Sequence, residues 1–435
     1  MEKYKYGYNK AEYKKFNIHA WKYLILFSLL YCAHYCTRLN IGSAQVVMED
    51  YGFTSGDIGI ITGVLFWTYA IGHLVNGRLG EIFGVRKFII WSVILSIAAN
   101  FVMGFQNSVI IMAIVWGVNG FVQSMAWSPG VSSLTAWWPG DRRGMATGFA
   151  NALTGFGQVI ATLMVALGFL ILPQFGWRSA FYVPAIFPII MLVVYILFAK
   201  CSPKDVGLKE YEEEDSGKAE HEIEMEAIVK EKGVLYPYLH LLKNKVFLIW
   251  CFVAFASGLA RYGLATWIPK YLNDNTDLGQ LVSLLTSTIL PIGMGIGTLI
   301  VPWLTDKYCS KNRLVASVVS GIASAVCIIG FMLLDPNDTV QLWIMMGCLF
   351  FAGFFIYAIN GTVWTFAADI GGRVFSSTAS GILDFAAYMG AAIQATVYGF
   401  ILTKGNWNVV FVSVAVFCFL IAVISLITSM KKKAR

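Results

Sequence analysis

Two arginines, Arg38 and Arg261, fall near the middle of apolar segments long enough to cross a bilayer, at matching points in the two halves of the 435-residue chain. A lone arginine at the centre of a membrane helix costs about 2.5–3.5 kcal/mol to insert, so the pair costs about 5–7 kcal/mol. A function must offset that cost, and guanidinium chemistry suggests which. The planar fork of donors stays charged at low dielectric and fits phosphate or carboxylate bidentately. The pair therefore predicts an anion site inside a membrane. Snorkelling, or capping of a broken helix, is the alternative for each, but both lie about sixteen residues inside their segments, where snorkelling is hard.

Other polar residues in apolar surroundings join the candidate site. His34 and Tyr31 precede Arg38 by one and two turns, and Asn40 and Gln45 extend a wet face; satisfied helix packing is the competing reading for Tyr31 and His34. Asn151 and Asp384 occupy matching places, each in a helix opened by an arginine, Arg143 and Arg373. Two arginines and one aspartate leave about one positive charge if all are ionised and close, which suits a monoanion or a zwitterion better than a dianion. Asp384 and His73 are the proton-coupling candidates, with an Asp–Arg pair and a packing histidine as the structural alternatives. Trp267 is the aromatic expected on the cavity wall. Glu81 with Arg86, and Asp306 with Arg313, are candidate cytoplasmic gating latches, against simple orientation by charge. Gly293 and Gly297 form a GxxxG that speaks only to close helix packing.

The elements that must position these residues are membrane helices. Hydrophobic residues make up 57% of the chain and charged ones 13%, with mean hydropathy +0.66, too apolar for a soluble domain. Twelve runs of about 20 apolar residues fall at approximately 21–46, 58–78, 87–105, 108–134, 144–172, 179–200, 245–271, 279–303, 314–334, 340–366, 375–402 and 408–430. They lack the alternation of an outer-membrane barrel, so the fold class is an all-α membrane protein of 12 transmembrane helices in two pseudo-symmetric six-helix bundles. The basic N-terminus precedes an apolar stretch too long for a cleavable signal, so it is expected to remain as the first helix. Basic residues recur on alternate loops (Arg78, Arg86 and Lys87; Arg142 and Arg143; Lys307, Lys311 and Arg313; Arg373; Lys431 to Lys433), which places those loops and both termini in the cytoplasm of a multi-pass cell-membrane protein. The net charge of +7 follows from this asymmetry and predicts no nucleic acid.

The expected domains are a tail 1–20, a bundle 21–200, a polar linker 201–243, a second bundle 244–430 and a tail 431–435. Residues 219–232 of the linker suit an amphipathic or a solvated charged helix. The halves repeat each other: Arg38 precedes Glu81 by 43 residues and Arg261 precedes Asp306 by 45. Eight scattered cysteines without a CxxC pair indicate neither a disulfide framework nor zinc, and no phosphate-binding loop or catalytic triad stands out. No cofactor, metal or enzymatic activity is expected. The expected partners are a small anionic substrate and the lipid bilayer, with the chain acting as a monomer.

The loop residues Gly77, Glu81, Gly84, Arg86 and Lys87 resemble the signature of the major facilitator superfamily, with Glu where Asp is usual. Within it the chain is similar to the organophosphate:phosphate antiporter family, which contains glycerol-3-phosphate and hexose-phosphate transporters. The similarity is carried by Tyr35 to Asn40, Trp137-Trp138 through Arg143-Gly144, Gly176-Trp177-Arg178 with Ala180, Asp205 to Leu208, and above all Arg261-Tyr262-Gly263 through Trp267, Pro269 and Tyr271. The resemblance implies two domains rocking about a central site in which Arg38 and Arg261 hold the anionic head group. It also has departures. Thr154 stands where the glycerol-phosphate transporters have a histidine, His73 where they have a lysine, Leu39 where a lysine often follows the first arginine, and Ser380 and Leu383 where the hexose-phosphate transporters carry an aspartate and a lysine. Three readings stay open: exchange of an organic anion against phosphate, proton-coupled symport of an acid or zwitterion, and a transporter-like sugar-phosphate sensor.

Overall fold

A computed structural model describes residues 4–211, 228, 231–233, 236–308 and 314–433 and, within them, all side chains except those of 77, 78, 81, 141, 302, 306, 362, 364–374, 376, 377 and 431–433. Side-chain caps set several helix starts. Asn9 accepts from the backbone of Glu12 at 2.9 Å while Glu12 accepts from the backbone of Asn9 at 3.0 Å. Thr54 and Asp57 make the same reciprocal pair, and Asn244 and Asp338 cap the seventh and tenth spans. The Asn9 box starts the first helix at Lys10, ahead of the expected 21, because the cap fixes the start and the first lysines extend to the surface. Gly84, at φ +86°, ends the second helix after Phe83 in a conformation that favours glycine.

Among the described residues, twelve helical segments are long and apolar enough to cross a membrane: Lys10–Tyr51, Ser55–Asn76, Val85–Gly104, Val109–Trp137, Arg142–Ile171, Pro173–Phe198, Lys245–Asn275, Gly279–Thr305, Leu314–Met332, Thr339–Gly361, Thr378–Leu402 and Trp407–Met430. No strand occurs among the described residues. These are referred to below as the first to twelfth spans. Six precede the polar segment after Ala199 and six follow it; part of 201–243 lies outside the described residues, including most of the stretch 219–232 read as an amphipathic or solvated helix.

Contacts within the first six spans join the second to the fourth, the third to the fourth and the first to the fifth; those within the last six join the seventh to the eleventh, the eighth to the tenth and the ninth to the twelfth. Gly293 and Gly297 make the eighth–tenth approach possible, since a Cβ at either would stand 2.1 Å from the carbonyl oxygen of Phe350 or Phe354. Between the two sets, the second span packs on the eleventh, the fifth on the eighth, and the outer piece of the first on the seventh. One apolar cluster draws on both sets, bringing Ile41, Ile58, Leu65 and Phe66 against Tyr262, Leu284, Ala392 and Ala395. It closes the bundle on the side away from the termini.

Candidate anion site

The first span is not one helix. It runs Lys10–Cys36, leaves helical geometry at Thr37 to Leu39, and resumes as Asn40–Met48. Arg38 sits in the break and is 1% exposed. Its guanidinium lies 4.4 Å from the Tyr35 ring centre and 4.8 Å from that of Tyr69. Arg261 instead rides an unbroken helix, Lys245–Asn275, with its guanidinium 4.1 Å over Tyr262 and 4.9 Å over Tyr357. Each cation–π contact of this kind is worth about 0.5–2 kcal/mol and offsets part of the cost of burying the charge.

A central cavity of about 470 Å³ is lined by Arg261, Asp384, His73, Asn151, Thr154 and five tyrosines, Tyr31, Tyr35, Tyr262, Tyr357 and Tyr388, among others. It extends to Gly144 and Gly148 at the start of the fifth span, toward the face that carries the termini. Arg38 does not line it. The tyrosines stand between: Tyr31 and Tyr69 share a 3.0 Å hydrogen bond, Arg261 donates to the Tyr262 hydroxyl, and Tyr262 donates to Tyr388 at 3.3 Å. Phenol hydroxyls and guanidinium groups are donors of the kind an anion needs. Thr154 and Tyr357 pair at 2.5 Å across the two sets of spans, so the threonine found in place of a histidine is tied to the ring under Arg261.

Asp384 and His73 also face each other across the two sets, Oδ2 to Nδ1 at 4.0 Å, an ion pair only when the imidazole is protonated. The His73 ring stacks on Tyr388 at 5.4 Å. The predicted residues Tyr31, Asn151, Asp384, His73 and Arg261 are thus gathered at one cavity. Three others are elsewhere. His34 is buried beside the break, its carbonyl accepting from Gln123 at 3.2 Å. Trp267 is 1% exposed in the core of the last six spans, donating to Gln394 at 3.2 Å. It does not form the cavity wall because it lies nearly two turns beyond Arg261, toward the closed end of the bundle away from the termini. Arg86 donates to the carbonyl of Ile196 at the end of the sixth span, at 2.6 Å. The side chains of Glu81 and Asp306, and the whole of Arg313, lie outside the described residues.

Sequence reasoning missed the tyrosine layer beyond Tyr31. A signal was present: Tyr31–Tyr35, Tyr69–His73 and Asp384–Tyr388 are each four apart, so each pair shares a helix face. It also missed the seal on the side away from the termini. Lys270, 6% exposed, bridges Glu49 of the first span at 2.5 Å and Asp274 at 2.7 Å. Gln45 donates to the Thr266 carbonyl at 2.5 Å, Gln280 to Asp50 at 2.8 Å, and the Gly56 backbone to Thr403 at 3.0 Å.

Twelve spans around a central cavity that carries charged and phenolic groups and is sealed on one side have the architecture of a membrane transporter. The chain belongs to the Major Facilitator Superfamily, whose family model matches residues 26–395. It is 28% identical over 417 residues to a probable hexose phosphate transport protein of Chlamydia trachomatis, covering 93% of this chain and 90% of that protein. It is 25% identical to the glycerol-3-phosphate transporter of Bacillus subtilis, covering 92% and 89%. These relatives fit the organophosphate:phosphate antiporter family. The crystal structure of a POT family transporter in complex with 5-aminolevulinic acid superposes with TM-score 0.71 at 11% identity, over 94% of this chain and 96% of that one, a likeness of fold.

Proposed function

We propose that this chain is a secondary transporter that carries a small organophosphate anion across the cell membrane in exchange for phosphate. Both termini face the cytoplasm, and the two six-helix sets rock about the tyrosine layer. Two buried arginines, one from each set and stacked on that shared layer, carry the reading. An anion reaching both would offset their mutual repulsion and draw the sets together, whereas the empty site resists closing. The names of the relatives support a phosphorylated substrate, and the charge asymmetry of the loops supports the orientation. The chain acts without enzymatic chemistry and as a monomer.

Exchange follows from the electrostatics. Reorienting an empty site that holds unbalanced buried positive charge is unfavourable, while reorienting it with phosphate bound is less so. The test is uptake of labelled phosphate into proteoliposomes preloaded with phosphate or left empty, challenged with a panel of organophosphates and organic acids. Saturable uptake that requires internal phosphate and is blocked by an organophosphate is expected. Uptake of an organic acid driven by an imposed proton gradient, with no phosphate movement, favours symport. Phosphate binding without any movement favours a sensor.

A further inference from the structure

The break in the first span frees backbone carbonyls in the middle of a membrane, and side-chain amides from the third and fourth spans take them up. Asn119 and Asn100 both donate to the Thr37 carbonyl, at 2.7 and 2.9 Å. Gln123 donates to the His34 carbonyl at 3.2 Å, to the Thr37 hydroxyl at 3.0 Å and to Ser96 at 2.8 Å. Ser96 in turn donates to Asn119 at 2.7 Å. Asn40, the first residue after the break, donates to Asn100 at 2.8 Å and to the Ala180 carbonyl at 2.9 Å. All six side chains in this cluster are at most 1% exposed, and none lines the cavity.

The seventh span supplies the contrast. It carries Arg261 on an unbroken helix. Helix packing alone needs no break, and an unpaired carbonyl in a membrane costs several kcal/mol, so a break held by three amides points to a purpose at the residue inside it. That residue is Arg38. Departure from helical geometry at Thr37 to Leu39 sets where its side chain leaves the backbone and therefore how it reaches the gap between the Tyr35 and Tyr69 rings.

We infer that Asn119, Asn100 and Gln123 are positioning residues for Arg38: they fix the break in the first span and so hold the guanidinium in the direction from which it meets the anion. The two arginines then differ in kind, Arg38 being set in a fixed socket and Arg261 carried on a helix that moves with the other set. The kinetic consequence rests on the anion-exchange reading; the geometric one does not.

The test uses the purified full-length protein and three volume-conserving variants. Asn119→Leu removes a donor to the Thr37 carbonyl. Gln123→Met is milder, leaving both asparagines on that carbonyl. Asn76→Leu is the comparison, since this side chain is also only 1% exposed and its amide bonds the Phe121 carbonyl and the Ser124 hydroxyl, at 3.2 and 2.6 Å, away from the break. Two quantities are measured: the rate at which phenylglyoxal modifies Arg38, read by peptide mass spectrometry against Arg261 in the same sample, and the KM and Vmax for exchange of inorganic phosphate. For Asn119→Leu and Gln123→Met, modification of Arg38 is expected to rise about fivefold or more and KM about tenfold, with Vmax per folded transporter little changed, because a displacement of about 1 Å spoils a bidentate contact. Asn76→Leu is expected to change neither. Arg38 modification in both break variants no faster than in Asn76→Leu overturns the inference; should Asn119→Leu fail to fold, Gln123→Met decides alone. Faster modification of Arg38 in a protein whose wild type exchanges no phosphate sustains the positioning role and removes the phosphate reading instead.

Discussion

Asp384 is a carboxylate on the wall of a cavity that also carries one guanidinium and five phenols, and its position in the proposed anion site demands a reason. It lowers the local charge, and it faces His73 at 4.0 Å across the interface between the two sets of spans. Under exchange of anions, the carboxylate tempers the affinity of the arginines so that the substrate can leave. Replacing Asp384 with Asn is then expected to lower the KM for phosphate about three- to tenfold, the effect of about 0.7–1.4 kcal/mol from one removed charge in a partly wet cavity. The ratio of variant to wild-type exchange should stay constant as pH is varied, which initial rates across a pH series will show. A ratio that changes with pH makes Asp384 the proton carrier of a symporter. At this scale the sequence was informative wherever charge sat in an apolar run, as at Arg38, Arg261, His73 and Asp384. It was poor for the tyrosines, because a tyrosine in a membrane helix is compatible with packing, interface or site, and only its neighbours decide.

Among the elements, apolar run length made the twelve spans legible, since a membrane demands about 20 such residues whatever else the helix does. The break at Thr37 to Leu39 was not legible. It contains neither proline nor glycine, and the amides that hold it lie 63 to 89 residues away, from Asn100 to Gln123. The seal between the first and seventh spans was hidden for the same reason: Lys270 and Glu49 are 221 residues apart. Losing one partner of a well-buried pair costs about 3–5 kcal/mol and of an exposed pair about 0.2–1 kcal/mol. Lys270 is 7% exposed at its side chain while Glu49 is 30% and Asp274 27%, which places this bridge between the two cases. A Lys270→Met variant is expected to shift the population about tenfold, about 1.4 kcal/mol, toward a state open on the outer side. Faster reaction of a Thr266→Cys reporter, 5% exposed under the seal, with a membrane-impermeant maleimide in the Lys270→Met background would show it. A rate equal to that of Thr266→Cys alone would remove Lys270 from the gate.

For the whole molecule, the state described is closed on the side away from the termini and carries a cavity extending toward the face that bears them. The internal repeat in the sequence foretold two arginines at equivalent points, yet the structure makes them unequal, Arg261 on the cavity wall and Arg38 behind the tyrosines. Near-symmetry of sequence leaves such a difference unspecified, because it arises from which spans pack around each arginine. An anion that first meets Arg261 must pass or displace the tyrosine layer to reach Arg38, and that passage would couple binding to closure. The central claim is that both arginines grip one anion through their planar forks. The most direct measurement is exchange of labelled inorganic phosphate by proteoliposomes holding equal amounts of folded wild type, Arg38→Lys or Arg261→Lys. Each lysine variant keeps the charge and loses the fork, so each is expected to fall at least about a hundredfold below wild type. Exchange at the wild-type rate by either variant would contradict the account.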